Sequence, residues 1–176
     1  MDIRIRPYRP DDVERLYEAA RESIPAMQPW MPWCHAGYTI DEARGWVEAR
    51  PQEWDAGTEY SFVIEDADGG FLGGCGINQI NPIHRSANLG YWLRLSQRRN
   101  GITTSAVRLL VDWTFRETDI DRIEIVAAVG NIPSQRVAEK VGATREGVRR
   151  QGLLLNRHRH DAVVYSVLRS DWRTRL

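Results

Sequence analysis

Apolar and polar residues alternate at Ile3, Ile5 and Pro7 and again at Leu89, Tyr91 and Leu93, a period of two that predicts strands. Tyr60-Ser61-Phe62-Val63-Ile64 and the stretch from Gly70 to Ile80 read as two more strands, joined across the turn cluster Asp66-Ala67-Asp68-Gly69. The period then changes. Val13, Leu16, Tyr17 and Ala20 recur at helical spacing behind Asp11 or Asp12 as N-cap; Ala43, Trp46 and Val47 do so behind Thr39 or Asp41. Between these helices lies a Pro- and Trp-rich loop, PAMQPWMPWCHAG. Ile102, Ala106, Leu109, Leu110 and Trp113 predict a helix from 101 to about 117, and another is expected over 132–141. Strands at 87–95, 122–129, near 144–150 and near 161–168 complete the order. The fold class is therefore α/β: one layer of strands with helices on both faces, a single domain over 1–176.

The segment from Leu93 to Thr104, LRLSQRRNGITT, runs from a strand through a Gly-centred turn into a helix. The free N–H groups and positive dipole end of that helix make an anion site, and Gly101 lets backbone approach a ligand closely. Taken alone, the same turn is equally an ordinary strand-to-helix connection with solvated Arg98 and Arg99. A second segment, Gly130-Asn131-Ile132-Pro133-Ser134 followed by QRVAEKVGA, changes the weighing.

Together the two segments resemble the GNAT superfamily of acyl-CoA-dependent N-acetyltransferases. Arg98, Gly101 and Thr103 stand at the places of that family's Arg/Gln-x-x-Gly-x-Gly/Ala loop, with Thr103 departing from the usual small residue. The Asn-x-x-Ser element and Gly90-Tyr91-Trp92-Leu93 are most similar to the branch that acetylates ribosomal-protein N-termini. The likeness covers nearly the whole chain. It implies a mixed, mostly antiparallel central sheet with a splay between its two central strands, and acetyl-CoA as co-substrate. Main-chain groups near Tyr91, Trp92 and Leu93 would hold the pantetheine, Arg98, Asn100, Gly101, Ile102, Thr103 and Thr104 the diphosphate, and Asn131 the pantetheine or the helix end. Relatives of this kind are often dimers, which leaves a homodimer open.

Composition narrows the partners. Twenty-four basic and 24 acidic residues cancel, which removes a general electrostatic case for nucleic acid or an anionic membrane. No apolar run approaches a membrane span, the N-terminus has no apolar signal region, and Cys34 and Cys75 form no spacing motif, so a cytoplasmic protein is expected. The glycines at 69, 70, 73, 74 and 76 match no nucleotide-loop register and read as turn and bulge glycines in a curved strand.

Acetyl transfer needs a neutral amine, a polarised carbonyl and help for the departing thiolate. The resemblance puts Ser134 at the sulfur, by a hydrogen bond or a proton relay, although a helix start explains Asn131 and Ser134 equally well. Positions where relatives carry a glutamate hold Asn88 and Leu153, neither of which accepts a proton. His84, His35, Glu146 or an ordered water chain remain as base candidates. Trp30, Trp33 and His35 are expected to line the acceptor pocket. The tract Asn156-Arg157-His158-Arg159-His160-Asp161 lacks a third nearby ligand, so no metal is expected. A weak base suits an α-amine, whose reference pKa lies near 8, better than a lysine near 10.4. Three readings stay open: a protein or peptide N-terminal α-amine acceptor, a small amine such as a polyamine, amino acid or aminoglycoside, and a non-catalytic CoA-binding sensor or interaction module.

Overall fold

The computed structural model describes residues 2–98 and 100–173; Arg99, one of the loop arginines read above, lies outside them. Among the described residues, seven strands hydrogen-bond into one sheet in the order β1-β2-β3-β4-β5-β7-β6. They are β1 (Ile3–Pro7), β2 (Tyr60–Asp66), β3 (Phe71–Asn81), β4 (Ser86–Leu93), β5 (Arg122–Ala128), β6 (Thr144–Leu155) and β7 (His158–Leu168). The helices are α1 (Asp12–Met27), α2 (Ile40–Asp55), α3 (Ile102–Glu117), α4 (Ile132–Val141) and the short α5 (Arg169–Arg173). Neighbouring strands run antiparallel except β4 and β5, which are parallel.

Alternation decides which layer each residue joins. Phe62, Ile64, Ile77, Leu89 and Leu93 face α3 and α4 and form one core with Ala106, Leu110, Ala138 and the β5 residues Ile123 and Ile125. Val63 and Phe71 face the other way, under α1 and α2, with Leu16, Ala20, Ala43 and Val47. Two cores thus sandwich one sheet, as the pattern predicts.

Local chemistry fixes the helix ends. Thr39 caps α2 through a reciprocal box, its side chain accepting from the Glu42 N–H while Glu42 accepts from the Thr39 N–H. At α1 the N-cap position falls to Asp11, one of the two expected, without a side-chain cap bond, and Asp12 is the first helical residue. It is buried and accepts from the Arg9 N–H and from two nitrogens of Arg6, whose Nε also donates to Glu65 at 2.7 Å. This pins α1 to β1 and β2.

The feature that creates a site is the brevity of one strand pairing. β4 and β5 bond only over Ser86–Asn88 against Arg122–Glu124. Past Asn88, β4 stays on β3 and β5 stays on β7, so the two part. The expected splay between central strands is present. The loop after α1 straddles it: Trp30 packs on Gly130 at the β5–α4 turn, and Trp33 meets Trp92 of β4 edge-on at 5.6 Å.

Two sequence readings are corrected. Gly74 and Gly76 are regularly paired, not bulged, while Gly73 borders the extra residue Leu72 that β3 sets against Ile64/Glu65; the other irregularity falls at Asn78/Asn81. They are glycine because neighbours press on them: a Cβ at Gly74 would stand 2.7 Å from Tyr8 Oη and from Trp92 Nε1, and one at Gly76 2.9 Å from the Tyr60 carbonyl. The Asn156-Arg157 step is a hairpin turn, both residues at positive φ (49° and 67°), which lengthens the last two strands beyond the predicted ends.

Candidate active site

The N-terminus of α3 has the properties of an anion cradle. Gly101, its N-cap, adopts φ 74°, with open space where a Cβ would stand, and no side chain caps the helix. The first intrahelical main-chain bond runs from the Ser105 N–H to the Gly101 carbonyl, so the N–H groups of Ile102, Thr103 and Thr104 have no partner within the helix. α2 and α4 each carry a side-chain cap, and α1 has acids in its first turn; α3 has neither. An anion is what its dipole lacks. The loop leading in is tied to α1: Ser96 N–H donates to Glu22, the Leu95 N–H to Ser23 Oγ at 3.0 Å, and Arg94 pairs with Glu22. Arg98 and Asn100 stand exposed beside the cradle.

At the split, β4 and α4 meet through hydroxyls. Tyr91 Oη donates to the Ser134 carbonyl at 2.9 Å and shares a hydrogen bond with Ser134 Oγ at 3.0 Å. Burial pushes the Tyr91 phenol up to about 12, so it stays protonated and able to donate. Asn131 Oδ1 accepts from the Ser134 N–H at 3.3 Å, which gives Asn131 the helix-capping role of the two expected for it. The phenol of Tyr91 was not foreseen as a contact of Ser134; the alternation of β4 alone could have placed it on that face.

On the α1/α2 side of the sheet the same strands floor a cavity of about 410 Å³. Ser61, Gly76 and Gly90 lie in one row across β2, β3 and β4, and the absence of side chains at the two glycines makes the depth. Tyr8, Trp33, Tyr38, Trp46 and Trp92 supply aromatic walls. Trp46, expected inside, is 41 % exposed and carries the Arg50 guanidinium on its ring at 3.6 Å. The carboxylates lining the cavity, among the described residues, are Glu42 and Glu59.

Several predicted site residues are not brought together. Trp30 sits on Gly130 and His35 at the rim, its Nε2 2.9 Å from Glu42 Oε1; of the three expected acceptor contacts, Trp33 lines the cavity. His84 lies in the exposed turn before β4, where that strand is still paired with β5. From the end of that turn five residues of strand, Ser86 to Tyr91, about 17 Å, lead on to Tyr91, so the structure does not join His84 to Ser134. Glu146 accepts from Arg122 and Ser166, which hold its carboxyl down at about 2. Cys75 is buried and its thiol pushed up by that burial. Among the described residues no three His, Cys, Asp or Glu side chains gather as metal ligands. Asp161 accepts from the Gln151 N–H at 2.7 Å, a structural bond across the last hairpin.

Comparison with known proteins agrees with this geometry. The family described as Acetyltransferase (GNAT) domain matches residues 2–144. The Bacillus subtilis (strain 168) protein named "Putative ribosomal N-acetyltransferase YdaF" is 33 % identical over 97 % of this chain and 93 % of its own length. The ribosomal-protein-serine acetyltransferase of Escherichia coli (strain K12) is 26 % identical over 88 % and 86 %. The structure of RimL, a ribosomal L7/L12 α-N-protein acetyltransferase solved with coenzyme A, superposes with a TM-score of 0.88 at 26 % identity, covering 96 % of this chain and 94 % of that one.

Proposed function

This chain belongs to the GNAT acetyltransferase family and is an acetyl-CoA-dependent N-acetyltransferase; from that premise we propose that its acceptor is the α-amine of a protein or peptide N-terminus. The reading of a non-catalytic CoA sensor gives way to the enzyme. The observation that carries the acceptor is the cavity's lining, aromatic and apolar with two carboxylates among the described residues. A flexible polycation would want several acids along its length; a single ammonium on an apolar-flanked chain end wants few. The names of the ribosomal-protein relatives support the same reading.

The α3 N-terminus, from Arg98 to Thr104, would hold the diphosphate of acetyl-CoA, and the parted strand at Tyr91, Trp92 and Leu93 its pantetheine, through β-type main-chain bonds. Acetyl-CoA supplies the thioester. A main-chain N–H at the split polarises the carbonyl, the neutral amine attacks it directly, and Ser134 Oγ donates to the departing sulfur. Tyr91 holds that hydroxyl in place. No covalent enzyme intermediate is required. The chain acts as one domain over 1–176 in the cytoplasm; no described helix is long and apolar enough to cross a membrane.

The test is free-thiol release with a panel of amines. N-terminal peptides should exceed spermidine and N-acetyl-lysine in kcat/KM by about tenfold or more. A polyamine as the best substrate would overturn the peptide reading in favour of a small amine, an acceptor class with a distant relative in the spermidine N(1)-acetyltransferase of Vibrio cholerae, 26 % identical over 66 % of this chain and 68 % of its own.

A further inference from the structure

An acceptor ammonium must lose a proton before it can attack, and Asn88 beside the split cannot take one. The cavity offers two carboxylates, and their hydrogen bonds separate them. Both oxygens of Glu42 are engaged: Oε1 by His35 and Oε2 by the Thr39 N–H and hydroxyl. Glu59 takes both of its bonds on Oε1, from Arg50 Nη1 at 2.8 Å and Ser61 Oγ at 2.6 Å. Its Oε2 receives no bond from any described residue, in a half-buried side chain that lines the cavity.

Sheet register puts Glu59 in a useful row. It directly precedes Tyr60, which pairs with Ile77, so it stands level with Asn78; Asn78 in turn pairs with Asn88 and accepts from its Nδ2 at 2.9 Å. The row lies two residues along the strands from Ser61, Gly76 and Gly90, the cavity floor, on the same face, about 7 Å away. Two strand spacings, about 10 Å, separate Glu59 from β4. An acceptor nitrogen over the glycine floor lies between them, within reach of Oε2 through one water.

One cation is shared by two carboxylates beside the cavity. Arg50 Nη1 also lies 2.8 Å from Glu53 Oε2, so one guanidinium from α2 serves two carboxylates and the group keeps one net negative charge. Across the cavity stand Glu42 with His35, and the Tyr8 and Tyr38 phenols and the Cys75 thiol, all three pushed up by burial and thus protonated. Those three cannot accept a proton at neutral pH.

We infer that Glu59 draws the acceptor ammonium into the cavity and receives its proton on Oε2 through a water. This rests on the acetyltransferase reading above. The proton passes on to solvent; the freed lone pair forms the N–C bond; the C–S bond breaks. The second proton on nitrogen ends on the thiolate by way of Ser134, so that RNH₃⁺ and the thioester become the amide, CoASH and one released proton.

Glu59→Gln tests it, since the amide keeps the shape and an acceptor oxygen for Arg50. Near pH 7 its kcat/KM for a peptide α-amine should fall roughly 10–100-fold. Acetyl-CoA affinity by calorimetry should stay within about twofold. The deficit should close as pH rises past the amine's own pKa, and should be smaller for an amine of lower pKa. A deficit of equal size at every pH, or none, would overturn the proposal. Should E59Q fail to fold, E59D, which keeps the charge but withdraws the oxygen by one methylene, must show the same pH-dependent deficit in smaller measure. If the wild type acetylates only small amines, the peptide reading fails, and Glu59 is tested on that amine instead.

Discussion

Tyr91 and Ser134 share two hydrogen bonds across the split, and the exchange between their hydroxyls makes a testable pair. Ser134→Ala removes the donor to the sulfur and should lower kcat roughly 10–100-fold with little change in the KM for acetyl-CoA. Tyr91→Phe leaves Ser134 in place but frees its rotamer. Removing Oη takes away both hydrogen bonds; loss of the one that holds Ser134 Oγ, about 1 kcal/mol, predicts about a fivefold lower kcat, and Ser134→Ala should then keep its full effect only if the two act separately. Steady-state kinetics on the double variant decides between coupled and independent roles. Sequence exposes Ser134 through its place in Asn-x-x-Ser, but not its partner: Tyr91 reads as one more apolar position in an alternating strand. Glu59 is hidden for the same kind of reason. A glutamate just ahead of a strand is common, and its meaning appears only once Gly76 and Gly90 prove to be neighbours on β3 and β4.

Among the elements, α3 carries the most definite expectation, because Gly101 holds φ 74° at its head. A β-branched residue there is strained by about 1–3 kcal/mol, although nothing stands within 4 Å of the added Cβ in this structure. Gly101→Val should weaken acetyl-CoA binding by about tenfold or more in a calorimetric titration; unchanged affinity would take the cradle away from this helix. Most elements are legible from periodicity because each has one buried stripe: Leu16 and Ala20 on α1, Leu110 on α3, Leu89 and Leu93 on β4. Their ends are less so. α1 continues through Pro25 to Met27, where the sequence suggests a loop, since a proline in the last turn removes only a single backbone bond. The final hairpin hides behind histidines that draw the eye to metals, whereas Asn156 and Arg157 supply the turn.

Over the whole molecule, acid should loosen the α1 side first. Burial pushes the Asp12 and Glu65 carboxyls up, but Arg6 with the Arg9 N–H at Asp12, and Arg4 with Arg6 at Glu65, outweigh it and hold both below the usual carboxylate range. Groups depressed in the folded state stabilise it fully above their unfolded values, near 4, and cease to as pH falls through the folded ones. Melting temperature should therefore decline below about pH 5, and Asp12→Asn should lower it at neutral pH while flattening that decline. Asp12→Ala, which leaves Arg6 with Glu65 alone as its ionic partner, should cost about 2–3 kcal/mol in denaturant melts. The parted strands have a wider meaning. A sheet normally keeps its unpaired rims at its two outer borders, yet here β4 and β5 leave a rim in the middle, flanked by Trp30 on Gly130 and Trp33 on Trp92. The gap therefore offers unpaired main-chain groups inside the sheet, where a slender, amide-bearing thread can join it as a strand would.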